Sequence, residues 1–114
     1  MRIFVAGPLT HMDPEKRGDN VEHALDTGHA LLLGGHQPFV PHLSQYWDDH
    51  LWCGGDNLPY ERWMEWTLSW LRVCDALYFI GSSPGADREL ALAEELGLPI
   101  YRSLDEVPAV EGQS

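Results

Sequence analysis

A turn rich in Gly and Ser, Gly81-Ser82-Ser83-Pro84-Gly85, separates a short apolar run, Ala76 to Ile80, from a helical pattern running through Ala86, Glu89 and Ala93. Strand, turn and helix in that order build an anion site. The first amides of a helix have no intrahelical partner and carry the positive end of the dipole, so they favour phosphate or carboxylate. At 3.6 residues per turn, Ala86, Leu90, Ala93 and Leu96 share one face, and Glu89 falls inside it. Asp87, Arg88, Glu94 and Glu95 fall outside. An inward carboxylate one turn from an anion-holding start suits a site acting on a phosphorylated substrate. The same residues also suit a plain turn with an acid bonded to a neighbouring loop.

The elements that would position these groups can be read along the chain. Ile3 to Ala6 form a buried-type strand that stops at Gly7-Pro8. Asp13 and Pro14 are N-cap and first-turn residues, and Gly34-Gly35 is a stop signal, so a helix is predicted between them. Its inward stripe is Val21, Ala24, Leu25, Gly28, Leu31 and Leu32. A short strand, Gln37 to Val40, follows, with Pro38 and Pro41 limiting its hydrogen bonding.

The stretch from Pro41 to Pro59 reads as a long polar and aromatic loop, of the kind that often carries function. A helix is expected from Asn57 and Pro59 to about Cys74, a third strand over Ala76 to Ile80, the Glu89 helix to Gly97, and a fourth strand over Leu98 to Tyr101. Strands alternating with helices predict an α/β protein with a parallel sheet. Ligands in such sheets bind at the carboxyl ends of the strands, where Gly7 to Met12, Pro41 to Asp49 and Gly81 to Glu89 would meet.

Composition bounds the function. A chain of 114 residues that is 44% hydrophobic suits one small domain with one core, spanning about 1–108, with 109–114 as a frayed tail. A net charge of −11 argues against a nucleic acid polymer, which needs clustered Lys and Arg, but leaves room for a single small anion. Two cysteines, Cys53 and Cys74, make no disulfide framework. His36, His42, His50 and Cys53 match no common zinc spacing, so no metal is expected. The opening residues do not form a signal peptide and no apolar run is long enough to span a bilayer, so a cytoplasmic protein is expected.

These residues together resemble the nucleoside 2-deoxyribosyltransferase superfamily, which includes the deoxynucleoside 5′-monophosphate N-glycosidases. The resemblance covers roughly 1–103. It rests on Ile3-Phe4-Val5-Ala6-Gly7-Pro8, Pro41-His42-Leu43, the segment from Leu68 to Leu77, and the segment from Gly85 to Ala93. It implies a small Rossmann-like or flavodoxin-like three-layer sandwich with about four or five parallel strands, no cofactor, and a homodimer or higher homo-oligomer.

It also implies that Glu89 is the nucleophile, attacking the anomeric carbon, expelling the base and forming a glycosyl-enzyme ester. Ser83 matches the Ser that helps hold a 5′-phosphate, and Ser82 and the amides of Gly85 and Ala86 are further donors. Gly7, Pro8, His42 and Thr67 complete the expected substrate-binding set.

Two positions depart from the family pattern. Thr67 stands where members commonly carry an Asp that orients the sugar or protonates the base. A hydroxyl cannot act as a general acid near neutral pH. His42, Tyr46, Asp48 and Asp49 are the candidates to replace it. Phe4 stands where the monophosphate-cleaving branch can carry a Tyr.

The expected reaction is cleavage of the N-glycosidic bond of a 2′-deoxynucleoside 5′-monophosphate. The alternatives are a deoxyribosyltransferase that moves the sugar between bases and a nucleotide-binding module without catalysis. Trp63, Trp66 and Trp70 suit core or subunit interface, and one of them, or Trp47, suits stacking on a nucleobase.

Overall fold

A computed structural model describes residues 1–9 and 13–110. Four parallel strands form one sheet: β1 (Arg2–Ala6), β2 (Gln37–Phe39), β3 (Ala76–Phe79) and β4 (Ile100–Tyr101), in the order β2-β1-β3-β4. The register aligns Phe4 with Phe39 on one side and with Leu77 on the other.

Alternation along β1 builds two cores. Phe4 and Ala6 point to one face, where Leu77 joins Leu71 of helix α3 (Tyr60–Leu71) and Leu92 and Ala93 of helix α4 (Pro84–Glu95). Ile3 and Val5 point to the other, where Ala76 and Tyr78 meet Ala24 and Leu31 of helix α1 (Pro14–Leu33). The result is the three-layer Rossmann-like sandwich expected from the sequence, with four strands.

Local signals set most boundaries. The Asp13 carboxylate accepts the Glu15 amide at 2.9 Å, capping α1. At its other end Gly35 adopts φ +89°, and the His36 amide reaches back to the Leu31 carbonyl. The buried stripe of α1 is Val21, Ala24, Thr27, Gly28 and Leu31, whereas Leu32, expected inside, is half exposed.

The main departure is helix α2 (Ser44–Cys53), in the stretch read as a loop. It has no buried residue, so it lacks the apolar stripe that marks a helix in sequence. Packing holds it instead: the Trp47 ring sits edge-on to Trp63 at 5.1 Å and to Trp66 at 5.8 Å. Helix α3 is also shorter than expected. It starts after Pro59, in extended conformation, and its last residue is Leu71.

The chain end is partly pinned. Buried His36 bonds the Pro108 carbonyl through Nε2 at 2.9 Å. Of the expected tail, 111–114 lie outside the described residues. Among the described residues no helix is long and apolar enough to cross a membrane.

Candidate active site

In the sheet order, β1 and β3 are neighbours, while the chain leaves β1 for β2 on one side and β3 for β4 on the other. A crevice opens at the carboxyl ends of the strands at such a switch point. Here it is a cleft of about 130 Å³. Gly7 and Leu9 follow β1, and Pro41 and His42 follow β2. Ser44, Gln45 and Asp48 come from α2, Tyr60, Trp63, Met64 and Thr67 from α3. Ser83, Gly85, Ala86 and Glu89 come from the start of α4.

Glu89 lies on the inward face of α4 with Ala86, Leu92 and Ala93. Leu90 and Leu96, expected on that face, are half-buried and exposed. Glu89 itself is 6% exposed and forms no hydrogen bond or ion pair with any described residue. Burial alone raises its carboxyl from 4.5 to about 8. A buried carboxyl with no structural partner, facing a cleft, is poised for a ligand rather than for the fold.

The start of α4 is an anion site of limited size. Ser83, in extended conformation, caps the helix: its Oγ accepts the Ala86 amide at 3.1 Å. Pro84 has no N–H, and the Asp87 amide bonds the Ser83 carbonyl at 2.8 Å. The donors left for a ligand are therefore the Gly85 amide and the Ser83 hydroxyl hydrogen. Gly85 keeps the approach open, since a Cβ there would stand 3.2 Å from the Tyr60 hydroxyl. Ser82 is directed elsewhere: exposed and outside the cleft lining, it donates to both carboxylate oxygens of Asp87, at 2.8 and 2.9 Å.

His42, in the turn after β2, is held by the backbone after β1. It is buried, and its Nε2 lies 3.1 Å from the Gly7 carbonyl and 3.2 Å from that of Pro8. Two carbonyls can only accept, so Nε2 carries the proton. Burial lowers the His42 pKa despite the raising effect of both bonds, and the ring is neutral. Its Nδ1 is buried and has no hydrogen-bond partner among the described residues. Gly7 is a position for glycine alone, because an added Cβ would stand 2.9 Å from Ile80 Cβ on the neighbouring strand end. Pro8 contributes its carbonyl to His42 and does not line the cleft.

Of the groups proposed to replace the acid absent at Thr67, the cleft takes in His42 and Asp48. Asp49 accepts from the Gln45 amide at 2.7 Å on the exposed side of α2, and Tyr46 is exposed; neither lines the cleft. Thr67 is buried and does line it, on the inward face of α3 with Met64 and Leu71, while Tyr60 and Trp70 on the same helix are half exposed. Residues 10–12, part of the segment expected at the site, lie outside the described residues. Leu9, Pro41, Ser44 and Gln45 come from the two segments, 7–12 and 41–49, that the sequence places at the strand ends, whereas Tyr60 and Met64 were not among the residues expected at the site. Among the described residues no three His, Cys, Asp or Glu side chains gather as a metal site.

Fold and site together define a class: a small parallel α/β protein whose switch-point cleft presents a buried carboxyl, unpaired among the described residues, beside a helix amino end. A solved structure of this shape is the 2-deoxyribosyltransferase of the psychrotolerant bacterium Bacillus psychrosaccharolyticus, a biocatalyst for nucleoside synthesis. It superposes with a TM-score of 0.61 at 18% identity, covering 88% of this chain and 69% of that one. At that identity the likeness is one of fold. No protein-family model matches the sequence, and no curated protein matches it.

Proposed function

We propose that this protein cleaves the N-glycosidic bond of a 2′-deoxynucleoside 5′-monophosphate. The observation that carries the reading is Glu89: buried, unpaired, and facing the cleft beside the amino end of α4. A Glu89 carboxylate oxygen attacks the anomeric carbon. The bond from that carbon to the base nitrogen breaks, and its electron pair leaves with the base. Water then hydrolyses the resulting ester, giving its hydroxyl to the sugar, while its remaining proton balances the departed base. The positive charge that develops on the sugar ring favours the ionised form of Glu89, offsetting the burial that disfavours it. The Gly85 amide and the Ser83 hydroxyl hold the phosphate.

A second reading has specific support. No Lys or Arg stands among the residues lining the cleft, and Asp87 lies in the first turn of α4. Both features suit a free nucleoside, and with it transfer of the sugar to another base.

One experiment separates these readings. Base release is followed by chromatography from deoxynucleotides and deoxynucleosides, with and without an added free base, for the wild type, Glu89→Ala and Ser83→Ala. The proposal expects release from nucleotides that Glu89→Ala abolishes and Ser83→Ala lowers about tenfold, the effect of roughly one hydrogen bond to a charged group. Release from nucleosides only, with a new nucleoside formed from the added base, selects transfer. Nucleotide binding without release by any variant selects a binding module.

We further infer a homodimer. Trp52 is 62% exposed, and Trp70, Val73 and Leu43 are about half exposed, a large apolar surface for a chain of this size. A monomer mass by light scattering would overturn it.

A further inference from the structure

The cleft lining carries polar groups that the reading above leaves unused. Among them is a pair from different helices, Asp48 of α2 and Trp63 of α3. Both line the cleft and both are half-buried. The Trp63 indole N–H donates to Asp48 Oδ1 at 3.2 Å. Trp63 is itself fixed edge-on by Trp47 at 5.1 Å and by Trp66 at 6.0 Å. The indole is thus a braced flat surface, and the carboxylate beside it is held in one orientation. Asp48 Oδ2 has no partner among the described residues.

We propose that Asp48 and Trp63 form a base-selecting subsite that prefers guanine. This rests on the nucleotide reading of the same cleft. A braced indole offers a stacking face to any base. The carboxylate discriminates, because it offers acceptors only. Oδ2 is free, and Oδ1 keeps a second lone pair beyond the one facing the indole. Two adjacent acceptors match two adjacent donors. Guanine presents that pattern, with N1–H beside the N2 amine. Adenine and cytosine place a ring acceptor next to their amine, and thymine and uracil flank a single N–H with two carbonyls. Each of these sets an acceptor against a carboxylate oxygen, a mismatch that costs more than a missing contact.

The test is calorimetric titration of dGMP, dIMP, dAMP, dCMP and dTMP, and of deoxyguanosine, into Glu89→Gln protein, which binds without turnover. The same panel is run with Asp48→Asn and Trp63→Phe added separately. dIMP lacks only the N2 amine of dGMP. The expected result is dGMP bound about tenfold more tightly than dIMP, the effect of roughly one hydrogen bond to a charged group, and more tightly still than the other three. Asp48→Asn, with an unchanged melting curve, collapses the dGMP to dIMP ratio to within about twofold. Trp63→Phe, which keeps a ring but loses the N–H that orients Asp48, reduces the ratio in part. Nucleotides bound with equal affinity, or an Asp48→Asn effect equal for every base, would overturn the base-selecting subsite and leave the nucleotide reading standing. No binding of any nucleotide or of deoxyguanosine would overturn both.

Discussion

His42 and Gly7, which both line the cleft, are joined directly: the imidazole Nε2–H, shared with the Pro8 carbonyl at 3.2 Å, reaches the Gly7 carbonyl at 3.1 Å. The bond ties the residue after β1 to the turn after β2, so the backbone at the switch point is held by a side chain where the sheet ladder has ended. His42→Phe removes the donor and leaves two carbonyls without it. The expected loss is roughly 1–3 kcal/mol of stability by denaturant titration. The pH dependence carries the same signature. Burial lowers the folded pKa of His42 below 6.5, so its contribution is present above 6.5 and is lost as pH falls through the lowered value. Stability should therefore fall less steeply below pH 6.5 in His42→Phe than in the wild type. Equal slopes would show that His42 is not the acid-sensitive group.

Glu89 acts on stability with the opposite sign. In the unfolded chain its carboxyl ionises near 4.5, whereas the folded protein keeps it protonated up to about 8. Its protonated form favours folding, so that contribution is fully present below pH 4.5 and is lost as pH rises through about 8. Gln does not ionise. Glu89→Gln should be inactive yet more stable than the wild type at pH 8, by up to roughly 4 kcal/mol, with the difference vanishing toward pH 4.5. A variant less stable at pH 8 would mean that Glu89 has a structural partner.

Activity should follow the same carboxyl. The nucleophilic form of Glu89 is the ionised one, so kcat/KM for base release should rise with pH and level off above about 8. A rate that falls through that range would assign Glu89 the role of proton donor instead of nucleophile.

Thr67 offers the gain-of-function test. It is buried on α3 and lines the cleft with Glu89. Thr67→Asp supplies the acid that the resemblance to the deoxyribosyltransferases leads one to expect at this position, and general acid catalysis contributes about 10²–10⁴-fold. Base release should rise at least about tenfold, while the new buried carboxyl costs roughly 1–3 kcal/mol of stability. Unchanged release would mean that protonation of the departing base does not limit the rate.

Which parts of this architecture could be read from sequence follows from where each signal resides. The Asp13 cap, the Gly34-Gly35 stop and the Ser83 cap are local, and each stands where the residue types place it. The inward position of Glu89 follows from helical period alone, although the face is centred nearer Leu92 than Leu90. Helix α2 was not legible, because tertiary contact between Trp47 and the α3 tryptophans holds it rather than a buried stripe of its own. Without α2 in place, Asp48 could not be separated from Asp49 and Tyr46. The engagement of Ser82 with Asp87 was hidden for a similar reason, since side-chain direction in a turn depends on what the next helix presents.

Trp47, Trp63 and Trp66 have ring centres within 6.0 Å of one another, and Trp63 also lines the cleft. Indoles this close exchange excitation before they emit. Quenching of one is therefore felt by all three, and a ligand that touches only Trp63 dims the whole group. The protein carries its own optical reporter of cleft occupancy, readable in unlabelled material at the concentrations where binding itself is measured.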